Sequence, residues 1–197
     1  MPSVTVDDQT LWARYTQGDI DAFSMLFLRH AGGLYKYGFL LCRDQMRVED
    51  CIQDLFFQLW KKQGNQCEVK CVKTYLFAAL SNRIQGSYRK TRNLNLQQAG
   101  SASTPSEASW EDLWIDQESS DQRNLFINKG VQTLPLRMRQ AIYLRYFENL
   151  DYSEIAGIMN IRRQVAVNMV YRAINHLRAF SKEYAALLTL ILGMHQT

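Results

Sequence analysis

Leu134–Arg178, LPLRMRQAIYLRYFENLDYSEIAGIMNIRRQVAVNMVYRAINHLR, decides how the chain is read. Asp151-Tyr152-Ser153-Glu154 is a D-x-x-E helix start, in which Asp151 can cap the leading backbone N–H groups and Glu154 sits near the helix's positive end. Ile155, Ala156 and Met159 then fall on one face, the face to bury. Asn160 tolerates the left-handed backbone of a tight turn, and Ile161 can fill the gap between two helices. A second helix is expected over Arg163–Phe180. Its apolar positions Ala166, Met169, Val170, Ala173 and Leu177 recur at three- and four-residue steps. That packing leaves Arg163, Gln164, Asn168, Tyr171, Arg172 and Asn175 facing out, with groups suited to phosphates and base edges. A basic amphipathic helix alone is more often a solvated face; the preceding short helix and polar turn are what point to a major groove.

Composition sets the frame around this stretch. The 197 residues are 47% hydrophobic and 12% aromatic, enough for one domain or two small ones with packed cores. Only three prolines, few alternating β-branched runs and repeated helical spacing predict an all-α fold. Val4 to Trp12 is acidic and polar rather than a basic start followed by an apolar run, so a cytoplasmic location is expected. Charge is uneven: residues 1–90 hold 12 basic and 9 acidic side chains, residues 91–122 hold 1 and 6, and residues 123–197 hold 10 and 4. The basic excess concentrates where the helix-turn-helix lies, as a nucleic-acid footprint should.

Catalytic and metal chemistry find no foothold. Cys42, Cys51, Cys67 and Cys71 invite a metal reading, but His30, His176 and His195 are scattered far from them in sequence. Cys42 and Cys51 sit in apolar helical patterns and read as small core residues, while Cys67 and Cys71 fall in an expected loop where an exposed thiol pair stays open. The chain has no glycine-rich phosphate loop, Ser/His/Asp set or paired catalytic carboxylates. No enzyme, no metal and no cofactor are expected.

Two helical modules flank a tether. Residues 91–122 lose helical periodicity in a Ser/Ala/Gln-rich and then acidic run that reads as a flexible linker, with Trp110, Leu113, Trp114 and Ile115 as a candidate docking turn. The module before it, residues 7–90, reads as four helices: Asp8–Gln17, Ala22–Leu41, Val48–Lys62 and Val72–Lys90, with Gly18 and Gly64 as stops. In the third, Ile52, Leu55, Phe56 and Leu59 form a core stripe, while Asp50, Gln53, Asp54 and Phe57 line another face. An aromatic beside three polar groups on an outward face suits a protein partner, against the plainer reading of a solvated acidic face with one stray Phe. In the fourth, Val72, Tyr75, Leu76, Ala79, Leu80 and Arg83 share a face. Lys70, Lys73, Arg83, Arg89, Lys90 and Arg92, interleaved with Tyr75, Phe77 and Tyr88, combine cations with rings on which unstacked bases stack; the same rings serve equally as core.

These residues carry a resemblance to the extracytoplasmic-function (ECF) sigma factors, the two-domain branch of the bacterial sigma-70 family. The strings are DIDAFSMLF (Asp19–Phe27), LYKYGF (Leu34–Phe39), VEDCIQDLFFQLW (Val48–Trp60), YLFAALSNRI (Tyr75–Ile84) and LPLRMRQAIYLRYFENLDYSEIA (Leu134–Ala156), then YRAINHLR (Tyr171–Arg178). The resemblance implies that residues 7–90 are sigma domain 2 and residues 123–180 sigma domain 4, both binding core RNA polymerase. It implies that Asp50, Gln53, Asp54 and Phe57 dock on the polymerase clamp helices. It implies that the segment Lys62–Lys90, with Lys70, Lys73, Tyr75, Asn82, Arg83, Arg89 and Lys90, opens and captures the minus-10 promoter element. Arg162, Arg163, Gln164, Asn168, Tyr171 and Arg172 would read the minus-35 element, and the linker would thread toward the RNA exit path.

Departures from the family pattern are visible too. Where the family usually places a capping Ser and Thr-Val-Lys, this chain has Arg162, Val165, Ala166 and Val167, so an atypical minus-35 specificity is expected. Gly86 replaces an acidic residue after the Asn82-Arg83 pair and can mark a bend. Residues 181–197 hold the apolar run AALLTLILG (Ala185–Gly193), far short of the roughly 20 residues a membrane helix needs. It reads as a helical cap on domain 4 or a surface for an anti-sigma factor, a further partner that the resemblance makes plausible. The rival readings are a dimeric helix-turn-helix regulator acting without polymerase, which explains Leu134–Arg178 but leaves the first module idle, and a pure protein-interaction adaptor.

Overall fold

A computed structural model of the chain describes residues 6–63, 69–97 and 129–194, with side chains described over 6–63, 69–89 and 129–182. Every regular element among the described residues is helical. The helices form two compact units, one N-terminal and one C-terminal.

The N-terminal unit is built from α1 (Asp8–Thr16), α2 (Ile20–Cys42), α3 (Gln45–Lys61) and α4 (Val72–Gln97). Three aspartates set the starts. Asp7 Oδ1 accepts from Thr10 N at 2.6 Å, Asp19 Oδ1 from Asp21 N and Ala22 N at 2.9 and 3.0 Å, and Asp44 Oδ1 from Arg47 N at 3.1 Å. Each cap satisfies N–H groups that the helix cannot bond itself, which is why α2 and α3 begin two and three residues before the periodicity alone predicts. Gly18 ends α1 with φ +95°, a conformation that costs a residue without Cβ little.

Helix α2 packs against all three others. The core joins Leu11, Trp12 and Tyr15 of α1 to Leu34, Tyr37 and Leu40 of α2, the predicted stripe Ile52, Leu55, Phe56 and Leu59 of α3, and Val72, Leu76, Phe77, Leu80 and Ile84 of α4. The buried Tyr15 hydroxyl donates to the Leu59 carbonyl. Cys42 and Cys51 are buried as expected, and burial pushes the Cys42 thiol up to about 11, which makes it inert as a nucleophile at neutral pH. The buried face of α4 differs from the expected one: Phe77 is fully enclosed, with its ring centroid 5.4 Å from that of Tyr37, whereas Tyr75, Ala79 and Arg83 sit at the margin.

Two glycines give a paired prediction. A Cβ at Gly38 would meet Val48 Cγ1 at 2.8 Å, with Leu80 and Ile84 at 3.4 Å, because α2 approaches α3 and α4 closely there. Gly38→Ala is expected to destabilise the N-terminal unit by about 1–3 kcal/mol, since the clash with a χ1-restricted valine outweighs the gain in helix propensity. Gly86 lies inside α4 with open space around a Cβ, and the helix runs on through it to Gln97. Gly86→Ala should therefore stabilise by roughly 0.5–1 kcal/mol. Urea unfolding followed by tryptophan fluorescence checks both signs.

Helix α4 continues to Gln97, seven residues past its expected end at Lys90. The remaining linker residues, with Trp110, Leu113, Trp114 and Ile115, lie outside the described residues, as do Gly64 and Cys67. In the C-terminal unit residues 129–132 are helical, followed by α5 (Leu136–Ile142), a π-helical turn (Tyr143–Phe147), α6 (Tyr152–Met159) and α7 (Arg163–Met194). Gly130 fits closely against α7, where a Cβ would stand 3.0 Å from Phe180 and 3.2 Å from Leu177, and the Thr133 hydroxyl is 3.1 Å from His176 Nε2. Tyr143 donates to Glu148 Oε1 at 2.9 Å and stacks on Phe147; burial first, then Glu148, pushes its phenol pKa upward. Helix α7 does not stop at Phe180. The apolar run Ala185–Gly193 continues the same helix, which ends at Met194.

Candidate nucleic-acid and protein interfaces

The helix-turn-helix is assembled by its own short-range chemistry. Asp151 Oδ1 accepts from Ser153 N at 2.6 Å and Glu154 N at 2.8 Å, and Glu154 Oε2 accepts from Asp151 N at 2.7 Å, a reciprocal capping box that fixes the start of α6. Ile155, Ala156 and Met159 are buried as predicted. Asn160 takes φ 51° in the turn, and Ile161 N donates to the Ala156 carbonyl at 3.0 Å. At the start of α7 the Arg162 carbonyl accepts from Val165 N and Ala166 N. The Arg162 guanidinium carries donors only, so it leaves the first N–H groups of α7 without the acceptor that a Ser would supply.

Ala166, Val170 and Ala173 bury the inner side of α7, and Arg163, Gln164, Asn168, Tyr171, Arg172 and Asn175 are all exposed on the other. Arg162 precedes them in the turn and is also exposed. Gln164 Nε2 donates to Asn168 Oδ1 at 3.2 Å, which pre-orients two amides of the kind that read adenine. A groove of about 350 Å³ beside them is lined by Pro135, Arg137 and Met138 of the α5 region and Val165, Asn168, Met169 and Arg172 of α7. Arg137, exposed on α5, thus joins the basic face. The sequence reading missed it because it lies outside the recognition helix; a cation in the first turn after Pro135 was the available signal.

On α3, Asp50, Gln53, Asp54 and Phe57 all lie exposed on one face, with Phe57 53% accessible. Lys61 Nζ stands 4.4 Å from the Phe57 ring centroid. Beside this stripe runs an open apolar groove of about 420 Å³, lined by Ile20, Phe23, Ser24 and Phe27 of α2 and Phe56, Phe57 and Trp60 of α3. The groove was not anticipated, because Ile20 and Phe27 read as ordinary helix residues until α2 is laid against α3. Phe57 is accordingly one wall of a larger aromatic surface.

The third set of residues is more dispersed. Asn82 and Arg89, seven residues apart, share the exposed face of α4 with the half-buried Tyr75 on the same line. Lys70 is exposed just before the helix. Lys73 and Arg83 are half-buried toward the core side, and the Lys73 charge is felt at His30. Lys90 lies within α4, but its side chain and that of Arg92 are outside the described residues. Phe77, offered by the sequence as a stacking ring, is enclosed and cannot serve. Tyr88 is 42% exposed, but its hydroxyl donates to the Cys42 carbonyl at 3.1 Å and the Arg47 guanidinium lies 4.6 Å from its ring centroid, so the protein already uses one side of it.

Among the described residues no group of three or more His, Cys, Asp or Glu side chains could hold a metal ion, and no helix is long and apolar enough to cross a membrane. The architecture is that of a DNA-binding helix-turn-helix joined in one chain to a helical unit with an exposed aromatic face.

Family relationships agree with this division. The family model described as Sigma-70 region 2 matches residues 26–94, and that described as Sigma-70, region 4 matches residues 128–177. The chain is 22% identical over 172 residues to the RNA polymerase sigma-H factor of Pseudomonas aeruginosa, covering 84% of this chain and 89% of that one. It is 24% identical over 185 residues to the ECF RNA polymerase sigma-E factor of Escherichia coli strain K12, covering 87% and 92%. Among solved structures, the sigma factor RpoE bound to the anti-sigma factor NepR from Bartonella quintana aligns with TM-score 0.62 and 25% identity over 81% of this chain and 96% of that one. CnrH in complex with the cytosolic domain of CnrY aligns with TM-score 0.59 at 19% identity, over 89% and 97%, a likeness of fold. The chain belongs to the sigma-70 family, in its ECF branch, and is a polymerase-binding sigma factor.

Proposed function

We propose that this sigma factor divides its work between the two units, with residues 7–90 binding core polymerase and acting on the minus-10 element and residues 123–180 reading the minus-35 element. The observation that carries the reading is the coexistence of an exposed Asp50–Gln53–Asp54–Phe57 face beside an aromatic groove with an exposed Arg163–Gln164–Asn168–Arg172 face on a helix-turn-helix. A regulator acting alone has no use for the first surface. On this reading polymerase docks on α3 and its groove. Lys70, Lys73, Tyr75, Asn82, Arg83, Arg89 and Lys90 engage the opened minus-10 strand, and Arg162, Arg163, Gln164, Asn168, Tyr171 and Arg172 engage minus-35 duplex. The protein acts in the cytoplasm as a non-catalytic initiation factor. An anti-sigma factor is a further partner, supported by the complexes in which the two structural relatives were solved.

The test is promoter binding with and without purified core polymerase: the chain should occupy a full promoter specifically only in the holoenzyme, and specific occupancy by the chain alone as a dimer would favour the regulator instead. Within the same assay Lys73→Ala and Arg89→Ala should reduce permanganate-detected strand opening more than closed-complex formation. Equal loss at both stages would mean that these cations supply only general attraction to DNA.

A further inference from the structure

Helix α1 lies ahead of the residues matched by the region 2 model, yet it grips the segment that leads into α4. Gln9 Nε2 donates to the Val69 carbonyl at 3.1 Å and the Lys70 carbonyl at 2.7 Å. Both partners are acceptors, so the amide orientation is fixed by chemistry: only the NH₂ end of Gln9 can face them. Three residues along α1, the Trp12 ring meets the Tyr75 ring edge-on at 5.4 Å. Helix α1 is itself anchored, because Asp8 Oδ1 pairs with Arg29 Nη1 of α2 at 2.6 Å and Asp8 Oδ2 lies 2.9 Å from His30 Nε2. Burial, opposed by Asp8, holds the His30 imidazole below its ordinary pKa.

We propose that Gln9 is a positioning residue for minus-10 recognition, fixing the backbone at Val69–Lys70 so that Lys70, Lys73 and Tyr75 are presented to the captured strand in one arrangement. The inference rests on the assignment of that segment to the minus-10 strand. Gln9 touches no DNA on this view. Its exposed side chain contributes by removing freedom from the backbone that carries the DNA-facing groups, which sharpens discrimination between bases more than it adds affinity.

The experiment uses holoenzyme reconstituted from the full chain and core polymerase. A non-template minus-10 single strand is selected from a randomised pool by the wild-type holoenzyme, and binding is compared with single-base variants of it. Gln9→Met, of similar size but without donors, should reduce the matched-to-mismatched affinity ratio by about three- to tenfold, the range expected for one or two lost hydrogen bonds. Core affinity and thermal midpoint should stay unchanged. Gln9→Lys, whose ammonium reaches the same carbonyls, should restore the ratio, which a uniform charge effect would not move. Wild-type discrimination in Gln9→Met, while Lys73→Ala loses strand binding, overturns the role of Gln9 alone. Unchanged strand binding in both variants overturns the segment's assignment and the role of Gln9 with it. A fall in thermal midpoint that Gln9→Lys does not repair would make Gln9 merely structural and also overturn the proposal.

Discussion

The double substitution Asp54→Lys with Phe57→Ala is expected to weaken binding to core RNA polymerase by at least about 2 kcal/mol, roughly 30-fold, because it removes an aromatic anchor and reverses a charge on the same face. Phe57 is half exposed and forms one wall of the groove completed by Ile20, Phe23, Phe27, Phe56 and Trp60. An aromatic that adds little to the core yet borders an apolar groove has its contact area available for a partner. Both substituted side chains are exposed, so the fold should persist with unchanged helicity. Titration of labelled core polymerase measures the loss. A folded double mutant with wild-type affinity would remove α3 from the interface and leave the groove unexplained.

Two arginines of the exposed α7 face should separate specificity from attraction. Arg163 stands at the first residue of α7, and Arg172 lies on the groove shared with Arg137 and Met138. Arg163→Ala is expected to cost about 1–3 kcal/mol on the preferred minus-35 sequence and to relax discrimination at one base pair. Arg172→Ala should weaken all sequences alike and lower the salt slope by about one. Binding curves on matched and mismatched duplexes at several salt concentrations distinguish the two. If Arg163→Ala lowers affinity uniformly, both arginines hold phosphate and the Gln164–Asn168 amide pair becomes the candidate reader.

The helix-turn-helix was legible because its determinants are local: Asp151 and Glu154 cap each other's backbone, and Asn160 accepts a left-handed turn. The α3 core stripe was legible for the same reason, since burial follows helical period within one element. What sequence could not supply is the neighbour across each surface. Phe77 and Tyr75 are both aromatic residues of α4, yet Tyr37 encloses one and leaves the other at the margin. The aromatic groove needs α2 laid beside α3, and the grip of Gln9 spans about 60 residues, a separation to which periodicity is blind. The starts of α2 and α3 were misplaced because Asp19 and Asp44 were not weighed as caps. The end of α4 was misplaced because residues 91–97 are polar enough to read as linker while remaining helical.

Helix α7 runs for 32 residues without a proline, and its one glycine is the penultimate residue, Gly193. At 1.5 Å per residue it is a rod of about 48 Å with none of the usual causes of a kink before that glycine. The turns proposed to meet DNA and the distal apolar run are thus parts of one rod. If the groove end is taken as the pivot, a tilt of about 10° sweeps the far end through roughly 8 Å. If Arg163, Gln164 and Asn168 engage duplex as proposed, a tilt imposed at Ala185–Gly193 changes the angle at which they enter the groove.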